Sequence, residues 1–152
     1  MSIKLAQEFD FDIVKKITHK TIKEIYPHYY SNGAVVFFLN HHNDENIMND
    51  ILNHNVFLCY NSEQNAVGTV TIKKNEICRL FVLPQYQGNG YGRELADYAE
   101  TTIAKHYDEI ILDASLSAKS IYLKRGYQEI GYHSIKTDNN DYLCYDVMKK
   151  QI

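Results

Sequence analysis

Phe11, Val14, Ile17, Thr21, Ile22 and Ile25 recur three or four residues apart, the spacing that gathers side chains on one face of a helix. This predicts a helix from a cap at Asp10 or Asp12 to about Tyr26. Pro27, which has no N–H to donate, ends it. Ser2 to Ala6 precedes it as a short strand. After the loop His28-Tyr29-Tyr30-Ser31-Asn32-Gly33 come two further helical stretches. One, Ala34 to about His42, is apolar; the other, about Asp44 to Leu52, is amphipathic through Ile47, Met48, Ile51 and Leu52. Past Asn53 the period changes to that of strands. Val56 to Tyr60 and Ala66 to Lys73 are joined by a turn at Asn61 to Asn65. A third run starts at Glu76, where Ile77, Cys78, Leu80, Phe81, Val82 and Leu83 read as a strand covered on both faces. Pro84 stops it.

A helical face returns with Leu95, Tyr98, Ala99, Thr102 and Ile103, to about His106, and a strand follows at Ile110 to Ala114. A strand–helix–strand crossing makes that pair of strands parallel. Ser115 or Ser117 is the expected cap of a short helix through Arg125, ended by Gly126. Strands at about Tyr127 to Lys136 and Tyr142 to Lys149 close the chain, with a turn at Thr137 to Asp141. With the stretches at 34–42 and 44–52 counted together, the order is β-α-α-β-β-β-α-β-α-β-β. That order describes an α/β (α+β) fold with a central mixed, mostly antiparallel twisted sheet of about six to seven strands, flanked by about four helices.

At 152 residues the expectation is one domain spanning 1–152, able to bury about two-thirds of its unfolded surface. A net charge of −3 argues against a broad nucleic-acid footprint. The longest apolar run, Ala34 to Leu39, is far short of a membrane span, and the N-terminus has no signal-peptide pattern. Cys59, Cys78 and Cys144 are odd in number and lie in apolar stretches, as reduced thiols of a cytoplasmic protein do. His41, His42, Asp44 and Glu45 lie close in sequence without a defined ligand spacing, so no metal is expected.

The stretch that carries chemistry joins the third strand to the next helix. Between Pro84 and Arg93 stand three glycines on alternate positions, Gly88, Gly90 and Gly92. Glycine allows the backbone to approach an anion with several N–H groups aimed at it, and the helix start behind the loop adds partial positive charge. A Walker loop would end in Gly-Lys-Ser/Thr, but Gly92 is followed by Arg93-Glu94. A dinucleotide fingerprint would need a small residue where Arg93 stands. Asp113 lies about twenty residues on, as that fingerprint asks, yet only thirty-nine residues remain after it, too few to complete a doubly wound sheet.

The pattern Gln87-x-x-Gly90-x-Gly92, preceded by V-x-P, resembles the acetyl-CoA loop of the GNAT N-acetyltransferase superfamily. Ser115-x-x-Ala118-x-x-x-Tyr122, followed by Leu-Lys-Arg-Gly126-Tyr127, is similar to that family's C-terminal signature, and the element order matches over nearly the whole chain. The resemblance implies the GNAT-type acyl-CoA N-acyltransferase fold and acetyl transfer from acetyl-CoA to a primary amine. It implies that Gln87, Gly88, Asn89, Gly90, Tyr91, Gly92 and Arg93 hold the pyrophosphate. The main chain of Leu80, Phe81 and Val82 would contact the pantetheine and the acetyl carbonyl. Ser115 and Tyr122 would lie along the pantetheine, with Tyr122 protonating the departing thiolate. Lys119, Lys124 and Arg125 stand near enough in sequence to meet the 3′-phosphate, although solvated lysines explain at least two of them.

An amine with pKa about 10.4 costs roughly 4–5 kcal/mol to deprotonate at pH 7, so a positioned base helps. In one branch of the superfamily a base glutamate lies eleven residues before the loop's first motif position. Here that position is Glu76; Asp113 is the second candidate. The acceptor side implied by the resemblance includes Tyr26, His28, Tyr29 and Tyr30, whose aromatic rings suit a small cationic amine better than a basic protein tail. The expected partners are therefore acetyl-CoA and a small amine, with no nucleic acid and no membrane, in a monomer or a homodimer formed through the C-terminal hairpin. A non-catalytic acyl-CoA-binding module and a dinucleotide-dependent oxidoreductase are the alternatives.

Overall fold

The twelve main elements all pack on, or belong to, one sheet. A computed structural model describes all residues from Met1 to Ile152. The strands are β1 (Ser2–Leu5), β2 (Val56–Tyr60), β3 (Ala66–Lys73), β4 (Glu76–Val82), β5 (Glu109–Ala114), β6 (Gln128–Lys136) and β7 (Tyr142–Gln151). The helices are α1 (Phe11–Ile25), α2 (Asn32–His41), α3 (Asp44–Leu52), α4 (Tyr91–Ile103) and α5 (Lys119–Lys124). The spatial order is β1-β2-β3-β4-β5-β7-β6, with every neighbouring pair antiparallel except β4–β5. No helix is long and apolar enough to cross a membrane.

The local signals act much as their chemistry dictates, with two differences. Asn43 accepts from the Asn46 N–H at 2.8 Å and so starts α3, dividing the stretch after Ser31 into two helices. The carboxylate of Asp10 accepts from the Gln7 N–H at 2.9 Å, so it closes the short 3-10 turn before α1 rather than capping α1. Neither Ser115 nor Ser117 caps α5. Their hydroxyls bond each other at 2.9 Å, and the helix begins after Ala118.

Two buried clusters lie on opposite faces of the sheet. Val14, Ile17 and Ile22 of α1 and Ile47 and Ile51 of α3 meet Val56, Leu58 and Phe81. Leu95, Ala99 and Ile103 of α4 meet Val67, Val70, Ile77, Ile110 and Leu112. Ile77 and Phe81 thus belong to opposite faces, although strict alternation would put them on the same one. A bulge explains this. Thr71 pairs with Arg79 and Ile72 with Ile77, leaving Cys78 without a partner. The extra residue reverses the facing of everything before it, so Glu76 joins Arg79 on the side of α1, α2 and α3.

The parallel pair is short. Glu76 pairs with Ile111 and Ile77 with Leu112, and there the pairing ends. Beyond it β4 and β5 part, leaving a notch without ladder hydrogen bonds between them. At the far edge, the β6–β7 turn seats on α2. Asp141 accepts from the Gly33 N–H at 3.0 Å, and a Cβ on Gly33 would collide with the Asn139 side chain.

Candidate active site

Two cavities of about 400 and 460 Å³ open from the notch. They share the wall made by Tyr26, Leu80, Phe81, Ser115, Ala118 and Tyr122. The larger runs to the glycine loop, past Val82, Gln87, Gly88 and Gly92. The smaller contains Glu76 and Asp113.

The glycine loop is built to present its backbone. A 3-10 turn at Pro84–Tyr86 follows β4. The Gln87 amide donates to the Val82 carbonyl at 2.9 Å, tying the loop to the strand. Asn89 Nδ2 donates to the Tyr86 and Gln87 carbonyls, each at 3.1 Å, folding the loop over. Gly88 and Gly90 have φ of +79° and +87°, a region that side-chain-bearing residues enter at a cost. From Gly88 to Arg93 no backbone N–H donates within the chain; Glu94, bonded to the Gly90 carbonyl at 3.1 Å, is the first that does. Six consecutive free donors at a helix N-terminus make an anion site. Tyr91 packs edge-on to Tyr86 at 6.2 Å, and Arg93, in the first turn of α4, is exposed.

Tyr122 lies at the junction of the two cavities. Its ring is buried edge-on against Tyr127, with centroids 5.4 Å apart. Burial pushes its hydroxyl up to about 12, a rise that Arg125 moderates. Tyr26, on the same wall, is likewise pushed up to about 12 by burial. Both hold their protons at neutral pH.

Glu76 and Asp113 lie on adjacent strands, since Glu76 pairs with Ile111 and Asp113 lies two residues further along β5. The carboxyl of Glu76 is raised above its usual range by burial, then by the nearby Asp113 carboxylate, against the pull of Lys73. Asp113 is also raised by burial, opposed by His133 and His41.

Sequence reasoning placed Tyr26, His28, Tyr29 and Tyr30 on one acceptor wall, and the fold separates them. Tyr26 does face both cavities. His28 and Tyr29 line the glycine-loop cavity instead, because the 3-10 turn at Tyr26–His28 turns the chain toward that side. Tyr30 lines neither cavity. Its hydroxyl donates to the Cys144 carbonyl at 3.0 Å and accepts from the Leu116 N–H at 2.8 Å, bracing three segments. The carboxylate cavity is walled instead by Phe37, Phe38, His41 and His42 around the end of α2, with Tyr145 of β7 opposite. Two of the three neighbours named for a 3′-phosphate are also engaged. Arg125 binds Asp97 at 2.6 Å and Glu100 at 2.9 Å, and Lys119 binds Glu129 and Asp146 at 3.0 and 3.1 Å.

Sequence reasoning missed Arg79. It is 5% exposed in the central strand and lines the carboxylate cavity. A charge inside an otherwise apolar strand must be paired, and that interruption of the Ile77–Leu83 run was the available signal. His42, also missed as a wall residue, packs edge-on to Phe81 at 5.9 Å. Its carbonyl accepts from His19 Nε2 at 2.6 Å. Burial holds its imidazole down to about 2, with Arg79 and the neighbouring histidines adding to the fall, so it is neutral. Asp44, near it in sequence, is taken by Lys15 at 2.7 Å.

A central strand that parts from its parallel neighbour, with a glycine loop and helix start at the parting, defines the acyl-CoA N-acyltransferase fold. The family model described as the acetyltransferase (GNAT) domain matches residues 25–147, and the chain belongs to that family. Among solved structures it is similar to a GCN5-related N-acetyltransferase from Rhodopseudomonas palustris. The identity is 21% over 99% of this chain and 95% of that one, with a TM-score of 0.88. It is also similar to the PaiA N-acetyltransferase from Thermoplasma acidophilum in complex with coenzyme A, at 21% identity over the whole of both chains and a TM-score of 0.70. YncA from Salmonella typhimurium with acetyl-CoA shares 15% identity over 99% of this chain and 93% of that one, with a TM-score of 0.72. No curated protein sequence matches the chain.

Proposed function

We propose that the protein transfers an acetyl group from acetyl-CoA to a small primary amine, with Glu76 as general base and Tyr122 as general acid. One observation carries this reading: six consecutive free N–H groups, Gly88 to Arg93, belong to a loop whose Gly88 and Gly92 line a cavity that shares its wall with the one holding Glu76. The residues fit the group. The N–H groups suit a pyrophosphate, and the Leu80, Phe81 and Ser115 wall offers an apolar and weakly polar path to Tyr122. When bound, acetyl-CoA would supply the activated thioester.

The chain's own residues then do the proton work. Glu76, whose raised proton affinity brings it nearer the amine's, accepts the ammonium proton. Tyr122, protonated and sheltered from water, donates to the leaving sulfur. Phe37, Phe38 and Tyr145 hold a cation against aromatic faces, which favours a small amine over a protein tail. Related solved structures with coenzyme A and acetyl-CoA support the choice of co-substrate.

Thermal unfolding with acetyl-CoA, coenzyme A and NADH in parallel tests the proposal. A ligand at 100 times its Kd adds about 2.7 kcal/mol. A rise with both CoA species and none with NADH is expected, followed by amine-dependent release of free thiol. No rise with either CoA species would remove the co-substrate reading. Binding without thiol release over a broad amine screen would leave a non-catalytic binding module.

A further inference from the structure

The Cys78 bulge is flanked by an ion network that the acetyl-transfer reading does not use. Asp50, buried on α3, takes the Arg79 guanidinium on one carboxylate oxygen and Lys73 Nζ on the other, the latter at 2.6 Å. Arg79 Nε also donates to Thr71 Oγ1 at 3.1 Å. Thr71 and Arg79 form the strand pair on one side of the bulge, while Lys73 and Glu76 form a pair on the other. One carboxylate therefore ties together the pairs that bracket the unpaired residue. It also draws the ammonium of Lys73, which is the cross-strand neighbour of Glu76.

We propose that Asp50 is a positioning residue: it anchors Arg79 and Lys73 on both sides of the Cys78 bulge, fixes the face that Glu76 presents, and keeps the Lys73 ammonium from neutralising the Glu76 carboxylate. The other groups around Glu76 are Cys78 and Arg79 on β4, Asp113 on β5, His41 and His42 at the end of α2, and Tyr145 on β7. Of the cations among them, Arg79 is buried with its charge met by Asp50, whereas the Lys73 side chain is 45% exposed and can move between two carboxylates.

The inference rests on Glu76 being the base, and its test does not need turnover. The Glu76 side-chain carboxyl is titrated by carbon-13 NMR in the ligand-free protein. Lys73→Met, at a half-exposed position, should raise the Glu76 midpoint by about half a pH unit or more, because an opposing cation is gone. Asp50→Asn alone leaves a buried guanidinium unpaired, so it is combined with Arg79→Met. That double variant frees Lys73 and should lower the midpoint by a similar amount. Opposite shifts support the proposal; no shift in either variant, or shifts in the same direction, overturn it. In activity assays the acidic limb of the pH profile should move with each midpoint. If that limb persists in Glu76→Gln, the base assignment fails instead, independently of the NMR result.

Discussion

The anion site of the glycine loop draws its donors from one stretch of backbone, the N–H groups of Gly88 to Arg93. The carboxylate cavity draws its groups from side chains on separate elements: Lys73 on β3, Glu76 and Arg79 on β4, Asp113 on β5, His42 after α2 and Tyr145 on β7. Main-chain donors depend on local φ, so the first site is set by a few glycines and is indifferent to most side chains. The second depends on register and on one bulge, so a shift of a single residue in β4 would dismantle it. The two meet only at the wall of Tyr26, Leu80, Phe81, Ser115, Ala118 and Tyr122.

Substitutions should separate the two sites. Glu76→Gln should lower kcat by about 10²–10⁴-fold while the thermal shift given by coenzyme A stays as in the parent. Loss of both at once would mean that the sites are not separate. Tyr122→Phe, on the shared wall, should lower kcat by about 100-fold with a smaller effect on coenzyme A affinity; an unchanged kcat removes it as the acid. Gly90→Val, at φ +87°, has room for its Cβ, so the burden is conformational, about 1–2 kcal/mol. Coenzyme A should bind about tenfold more weakly by calorimetry, with a normal circular dichroism spectrum.

Two pH effects are smaller. His42 is neutral in the fold and takes up a proton when unfolded below about pH 6.5. Its contribution to stability is complete above that pH and is lost as pH falls toward its folded value. Urea titrations should show about 2 kcal/mol of loss from this group between pH 6.5 and 5, and His42→Gln should flatten that slope. Glu76 has the opposite sign. Its folded carboxyl binds a proton more tightly than the unfolded one, so its ionisation as pH rises weakens the fold. Glu76→Gln should therefore gain less than about 1 kcal/mol at pH 7, since the group is partly solvated, and nothing below pH 4.

The glycine loop could be read from the sequence because its chemistry is contiguous, and Gln87, Gly88, Gly90 and Gly92 needed no partner from elsewhere. The helices and strands could be read for the same reason, through their periods. The placement of β7 between β5 and β6 could not, because a hairpin's sequence does not say which of its arms pairs inward. Nor could the Cys78 bulge, since an apolar residue among apolar residues leaves no break in the pattern. Tyr30 shows the same limit: its hydroxyl joins partners 86 and 114 residues away, and nothing near it in the chain announces them.

The two residue pairs that join β4 to β5 have a mechanical consequence. The sheet consists of two panels, β1-β2-β3-β4 and β5-β7-β6, meeting along a seam two residues long. A molecule lying along the shared wall would act as a rivet across that seam. Pulled apart end to end, the loaded protein should yield in a single rupture, and the empty one in two.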